Sequence, residues 1–152
     1  MNSFKSAVLL VACAVGPLLA GGFVFEVGNP LANPEAKAKG AVLVARITSC
    51  HAPEKSIVTA TADGYVNGVR KSIPLTLIPL SSQGEFAVRH DWPATGTWVI
   101  RLVASNPEYK DLRRGLLVSM NGDTFERSSV KRFDREPLSQ DADAILNPTA
   151  SR

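Results

Sequence analysis

The sequence predicts an all-β fold, an antiparallel β-sandwich of seven or eight short strands, on the basis of three observations. Apolar and polar residues alternate with a period of two in several segments, as they do in strands that bury one face. Turn signals recur about every ten residues, as in sandwiches. No long segment has the apolar spacing of an amphipathic helix. A closed β-barrel of similar strand number is the main alternative.

The first predicted strands lie before residue 50. Phe23–Val27 alternates, with its two phenylalanines and Val27 on one face. Residues 28–40 contain two Asn-Pro pairs and no sustained helical stripe, which predicts a linker or loop. Ala41–Thr48 is rich in branched aliphatic residues and reads as a strand. The polar loop that follows it contains Cys50 and His51.

The clearest hairpin signal is the Asn67-Gly68 pair, which tolerates the positive φ angles of a type I′ turn. The two predicted arms are Ile57–Val66 and Val69–Leu80. Prolines at positions 74 and 79 lie in the returning arm, and proline cannot donate a ladder hydrogen bond. We therefore expect that arm to be an edge strand that is bulged or broken.

Two further alternating segments, Glu85–Trp92 and Thr97–Ala104, flank a Pro-Ala-Thr-Gly turn. Each carries one tryptophan among its apolar alternate positions, namely Trp92 and Trp98. We expect the two segments to pair as a hairpin that is half-buried against a second layer. Both tryptophans are then expected in the core rather than on a stacking platform for a sugar or peptide.

The last predicted hairpin joins Gly115–Met120 to Phe125–Lys131 through a second Asn-Gly pair at Asn121-Gly122. A short helix is predicted after Pro137, with Ser139 as its N-cap. Its apolar contact with the sandwich is expected to come from Ile145-Leu146.

An uncharged run of 19 residues, Ala7–Phe25, follows the single basic residue Lys5. The small residues 20–22 fit a signal-peptidase site, so we predict a signal peptide cut near Ala20 or Gly22. A lipoprotein signal ending at Cys13 and an uncleaved membrane anchor are the alternatives. In each case the rest of the chain lies outside the cytoplasm, periplasmic or secreted.

The composition fits one globular domain with a core. The chain has 152 residues, of which 45% are hydrophobic and 20% charged, which argues against wholesale disorder. Cleavage would remove Lys5, lowering the net charge from +3 to +2, and would leave Cys50 as the single cysteine. Basic residues near Arg127–Arg135 are interleaved with acidic ones, so no nucleic-acid partner is predicted.

We predict four parts of the chain. Residues 1–22 form the signal peptide or anchor, and residues 23–40 form an N-terminal extension or linker. The β-sandwich domain occupies residues 41–133. Residues 134–152 form a C-terminal tail that includes the short helix. Membrane contact is expected only through the N-terminal segment, if it is not cleaved.

A 48-residue stretch, residues 58–105, carries a family resemblance. Its motifs are Asp63-Gly64, Gly84–Val88 and Trp92–Ile100. They resemble immunoglobulin-like and transthyretin-like domains of secreted bacterial proteins, including carboxypeptidase-regulatory-like modules and periplasmic domains of the YtkA/FixH type. The resemblance implies a non-catalytic extracytoplasmic sandwich and carries over no active-site residue.

Catalysis finds no support among the motifs. No nucleophile elbow, zinc-protease helix, phosphate-binding loop or dinucleotide fingerprint is present. His90 and Asp91 are neighbours, but adjacent side chains on a strand point to opposite faces. We therefore predict that the protein is not an enzyme, and we assign no catalytic, cofactor-binding or metal-binding residue and no cofactor.

A metal site is the sharpest alternative. Cys50, His51, His90 and Met120 are the soft or imidazole ligands that remain after cleavage, and such ligands suit copper. Their spacing matches no recognised motif. For Met120, packing in the core is the simpler expectation. For Cys50, the sequence is compatible with a buried thiol and with an exposed, reactive one.

The function that we predict is a ligand- or protein-binding accessory module whose partner is a protein or small ligand of the cell envelope. The alternative is a small periplasmic protein that handles copper. Sandwiches present end loops and edge strands as recognition surfaces. The edge arm Val69–Leu80 is the first surface that this prediction points to.

Overall fold

The computed structural model describes residues 22–49 and 52–147, and these form two antiparallel sheets packed as a sandwich with one short C-terminal helix. The elements in chain order are β1 (Val24–Gly28), α1 (Pro34–Ala38), β2 (Ala41–Thr48), β3 (Ile57–Val66), β4 (Val69–Leu75), β5 (Leu77–Pro79), β6 (Glu85–Arg89), β7 (Thr97–Ser105), β8 (Arg113–Asn121), β9 (Thr124–Phe133) and α2 (Ser139–Leu146). The four-stranded sheet has the order β1-β2-β6-β5, and the five-stranded sheet has the order β4-β3-β7-β8-β9. The predicted all-β sandwich is confirmed.

The predicted signal segment lies outside the described residues, apart from its last residue, Gly22. Cys50 and His51 also lie outside them. Within the described ranges, none of the helices has the length and apolar character needed to cross a bilayer.

The core lies between the inner faces of the two sheets. Leu43 and Val88 from one sheet, and Ile100 and Leu102 from the other, are fully buried there. Removing a side chain of this size from water stabilises the fold by about 1.5–3 kcal/mol. Trp92 and Trp98 belong to the same cluster, as expected.

Trp98 packs over a glycine of the neighbouring strand. Gly64 lies opposite Trp98 in the β3–β7 register, and a Cβ atom at Gly64 would overlap the indole ring. The indole N–H donates a hydrogen bond to the Thr95 carbonyl, with 2.9 Å between nitrogen and oxygen. Because this polar atom is satisfied, the ring can be buried without an unpaired donor.

The β3–β4 hairpin confirms the first turn prediction. Asn67 and Gly68 have φ angles of 51° and 76°, and Val66 pairs with Val69. The returning arm is broken at Thr76, as expected for an arm with two prolines. Its halves belong to different sheets, since β4 and β5 are edge strands of the five-stranded and four-stranded sheets respectively.

The predicted hairpin between Glu85–Trp92 and Thr97–Ala104 is wrong. β6 ends at Arg89 and pairs with β2 and β5, whereas β7 pairs with β3 and β8. Residues 90–96 carry the chain from one sheet to the other, and Trp92 on this connection fills the core. Alternation within a strand fixes its buried face but does not choose its partner.

The β8–β9 hairpin is confirmed, with a shifted turn. Asn121 pairs with Thr124, so the central turn residues are Gly122 and Asp123, and Gly122 has a φ of 58°. Further along, Val118 pairs with Val130, which leaves residues 126–129 of β9 as a bulge.

Residues 23–40, which the sequence assigned to an extension or linker, contain the strand that was predicted at Phe23–Val27, observed as β1, and a helix that was not predicted, α1. β1 pairs along its whole length with β2, and Phe25 and Val27 are buried in the core. The Asn33 side chain accepts a hydrogen bond from the Ala36 N–H and so caps α1. A helix of five residues is too short to produce a periodic stripe in the sequence.

The predicted C-terminal helix is confirmed as α2, but its N-cap is Leu138, not Ser139. The Asp141 carboxylate at position N3 accepts a 2.7 Å hydrogen bond from the Leu138 N–H, which is the reciprocal bond of a capping box, and the Leu138 side chain itself has no capping oxygen. Ala142 is fully buried against Val99 and Leu117 on the outer face of the five-stranded sheet.

Candidate functional site

Two clefts open on either side of the 3₁₀ turn Pro30–Ala32, and both are lined by Asn29. The apolar cleft has a volume of about 330 Å³ and the polar cleft a volume of about 450 Å³. The Asn29 side chain accepts a 2.8 Å hydrogen bond from the Leu31 N–H, which holds the turn between the clefts in place. Proline at the first position of the turn fixes φ and removes a donor that the turn would leave unpaired.

The apolar cleft lies between this turn, the start of β2 and the β8–β9 turn. Its apolar walls come from Leu31, Val42 and Phe125, and the Asp123 carboxylate lies at its edge. Leu31 is 72% exposed, which is the highest exposure among the large hydrophobic residues that the structure describes. An apolar surface with one carboxylate at its border suits a ligand with an apolar body and a polar end.

The polar cleft is built on a row of charges across three neighbouring strands. Arg46 of β2 lies opposite Glu26 of β1 and Glu85 of β6. The Arg46 Nε lies 2.6 Å from one Glu85 oxygen, and the Asn33 amide donates a 3.0 Å hydrogen bond to the other. Both oxygens of Glu85, a residue only 9% exposed, are therefore satisfied. Arg127 of β9 lines the same cleft.

His90 lies beside the apolar cleft. Its Nδ1 contacts the Asp123 carboxylate, and its ring lies 4.3 Å from the Trp92 ring between centroids. The Nε2 atom is buried and has no hydrogen-bond partner among the described residues. Asp91, the neighbour in sequence, instead pairs with Arg89 at 3.3 Å. A histidine base needs a nitrogen that reaches its substrate, and here that nitrogen faces the protein interior.

The residues considered for the alternative copper site are only partly within the described residues. Cys50 and His51 lie outside the described residues, and Met120 is half-buried and packs against the core. Within residues 22–49 and 52–147, no three or more His, Cys, Asp or Glu side chains come together as a metal site would need.

A buried ionic cluster on the outer face of the five-stranded sheet was missed by the sequence reasoning. Asp63 has no solvent exposure and is held by Arg101 Nε at 2.9 Å and Ser72 Oγ at 2.8 Å. Arg70 lies 3.4 Å from Asp63 and also binds Asp143 of α2 at 2.8 Å. The hydrogen bond to Asp143 is the main reason that the pKa of Arg70 is raised. The cluster therefore attaches α2 to the sheet.

The hairpin register could have located part of this cluster. Once the Asn67-Gly68 turn is fixed, counting back along both arms places Asp63 opposite Ser72. The contributions of Arg101 and Asp143 depend on the β3–β7 pairing and on the docking of α2, and neither has a local signal in the sequence.

Comparison with known protein families, curated proteins and solved structures found no match. The resemblance of residues 58–105 to immunoglobulin-like and transthyretin-like domains therefore stays a prediction.

Proposed function

We propose that the protein is an extracytoplasmic β-sandwich that acts as a non-catalytic ligand- or protein-binding accessory module. The observation that carries this proposal is the pair of clefts that meet at Asn29, one mostly apolar and one charged. Together they provide a surface for a ligand that has an apolar part beside a charged part.

The way in which the clefts are built supports a binding role. Their walls come from the short turn Pro30–Ala32 and from strand ends that the two sheets hold in place. Recognition residues on loops above a rigid scaffold are a common arrangement in sandwich proteins. The Arg46–Glu85 ion pair holds these two side chains of the polar cleft in place before a ligand binds.

The surroundings of His90 support a role without catalysis. Asp123 could orient the imidazole for proton transfer, as carboxylates do in hydrolases. The opposite nitrogen, Nε2, is buried without a hydrogen-bond partner in the described part of the chain. The histidine therefore reads as a packing group that joins Trp92 to the β8–β9 turn.

The placement outside the cytoplasm rests on the sequence. The uncharged run Ala7–Phe25 and the small residues at positions 20–22 have the form of an export signal. An export signal implies that the partner or ligand is a component of the cell envelope or its surroundings.

The binding role is tested by mapping small ligands on the isotopically labelled chain by NMR. The probes are compounds that join an aromatic ring to a carboxylate or to an ammonium group. We expect their chemical-shift changes to cluster in residues 29–33, 41–46 and 123–127. Changes confined to other surfaces, or none for any probe at millimolar concentration, would contradict the proposed site.

A further inference from the structure

Two arginines differ from the others in the described part of the chain because they have no carboxylate partner there. The described residues include nine arginines, and seven of them form ion pairs with carboxylates: Arg46, Arg70, Arg89, Arg101, Arg113, Arg114 and Arg135. Arg127 and Arg132 form neither an ion pair nor a side-chain hydrogen bond within the described part of the chain. Both belong to β9.

These two arginines lie at opposite ends of β1. Arg127 lines the polar cleft together with Gly28, the last residue of the strand. Arg132 lines a separate cleft of about 200 Å³ together with Val24, the first residue of the strand. Asp134 lines that cleft too, but it pairs with Arg114 at 3.4 Å. The two unpaired guanidinium groups therefore flank β1 at both ends.

β1 is the end strand of its sheet, and among residues 22–49 and 52–147 its only partner is β2. One side of the β1 backbone therefore has N–H and C=O groups without partners among the described residues, over five residues or about 14 Å. Glu26 at the middle of the strand lies 3.5 Å from Arg46, which also pairs with Glu85 at 2.6 Å. Among the charged residues that line the clefts at the two ends of β1, Arg127 and Arg132 are the two without an ion pair in the described part of the chain.

We propose that the free edge of β1 binds an extended acidic peptide segment of a partner protein, which adds to the four-stranded sheet as a fifth strand. The inference rests on the proposed binding function and names its partner. Backbone hydrogen bonds along β1 hold the segment, and carboxylates near its two ends bind Arg127 and Arg132. The planar guanidinium fork matches a carboxylate with two parallel hydrogen bonds.

Pairing of two copies of this chain through β1 is disfavoured by the same charges. An antiparallel β1–β1 pair centred on Glu26 would set two glutamates opposite each other. It would also bring Arg127 of one copy towards Arg132 of the other. Like charges across a strand pair are destabilising. The arginines therefore disfavour pairing between two copies of β1 and favour pairing of β1 with an acidic segment.

The test uses a fluorescein-labelled heptapeptide, Thr-Glu-Val-Thr-Val-Glu-Thr, and a matched peptide with glutamine in place of both glutamates. Binding is measured by fluorescence anisotropy at low ionic strength. We expect the acidic peptide to bind at least fivefold more tightly than the glutamine peptide. The double variant Arg127→Gln, Arg132→Gln should abolish this difference. The control Lys131→Gln alters a β9 cation that lies opposite Leu117 of the outer face and has no ion pair within the described residues. It should change the affinity less than twofold.

Hydrogen exchange distinguishes strand addition from simple charge attraction. The acidic peptide should slow amide exchange in residues 24–28 and leave the β4 and β5 edges unchanged. Equal affinity for both peptides, or protection at another edge, overturns the inference. A third outcome also overturns the inference: the protein binds phosphatidylglycerol vesicles through the two arginines but does not bind the peptide. The surface is then a lipid-binding surface. The NMR mapping of the clefts is independent of these results, so the general binding role can stand while this inference fails.

Discussion

At the scale of single residues, Asp63 is the charged group whose partners matter most for stability. It has no solvent exposure, and Arg101, Arg70 and Ser72 supply its hydrogen bonds. A buried carboxylate that loses a cationic partner retains its desolvation cost without the compensating attraction. The role of this cluster is structural, since it joins strands β3, β4 and β7 to the helix α2.

Arg101→Met should lower the free energy of unfolding by about 3 kcal/mol, because it leaves the Asp63 charge buried with weaker partners. Urea denaturation measures this loss. The matched control is Arg89→Met, which breaks an exposed ion pair with Asp91 and should cost no more than about 1 kcal/mol. Equal losses for the two variants would contradict the assignment of Asp63 as the critical buried charge.

At the scale of elements, α2 is held by two ion pairs in addition to its apolar contacts. Arg135 binds Asp141 through two hydrogen bonds of 2.7 and 3.0 Å, and Arg70 binds Asp143. Pro137 packs on Gly115 of β8, where a Cβ atom would collide with the proline ring. These contacts explain why an eight-residue helix, too short to be stable alone, is ordered on the sheet.

The attachment of α2 should weaken in acid. The hydrogen bond from Arg135 is the main cause that lowers the pKa of Asp141 in the folded protein. A carboxyl group with a lowered folded pKa stabilises the fold above its unfolded pKa, and this contribution is lost as the pH falls through the folded value. Below about pH 4, the free energy of unfolding should therefore fall more steeply for the wild type than for Asp141→Asn. Parallel pH profiles from denaturant titrations would contradict this.

How far the elements can be predicted depends on how local their signals are. The Asn67-Gly68 hairpin can be predicted from a short segment, because the turn residues tolerate positive φ angles and the residues on both sides alternate as strands do. The partners of β6 and β7 could not be predicted, since the connection between them crosses from one sheet to the other. The break at Thr76 between β4 and β5 was only half predictable. The prolines indicated that the arm is broken, but not which sheet each half joins.

The candidate site was less predictable than the fold. The clefts combine the Pro30–Ala32 turn, β2 and the β8–β9 hairpin, which are far apart in the sequence. His90 was considered with its neighbour Asp91, whereas its partner is Asp123, 33 residues away. Such contacts arise from tertiary packing, which the residue pattern of a single segment does not encode.

At the scale of the whole molecule, the two sheets form a scaffold with a different role for each outer face. The outer face of the five-stranded sheet is covered by α2 and its ionic cluster. The four-stranded sheet presents the polar cleft beside α1 and the free edge of β1. Binding is therefore expected on the side of the four-stranded sheet.

The export of the molecule has its own prediction. If the N-terminal segment is a cleaved signal, the protein recovered from the periplasm or medium of a bacterial host should begin at Gly21 or Phe23. Intact mass spectrometry measures this directly. A protein that keeps residues 1–20, or that carries lipid on Cys13, would contradict a cleaved signal peptide.

The most direct test of the binding role compares two exposed leucines. Leu31→Glu changes the wall of the apolar cleft, whereas Leu138→Glu places the same charge at a leucine that is 50% exposed near α2. Affinity for the ligands found by NMR mapping is measured for both variants. We expect Leu31→Glu to weaken the binding of the carboxylate ligands at least tenfold and Leu138→Glu to leave it within twofold of the wild type. Unchanged binding by Leu31→Glu, or equal losses in both variants, would contradict the assignment of this surface as the functional site.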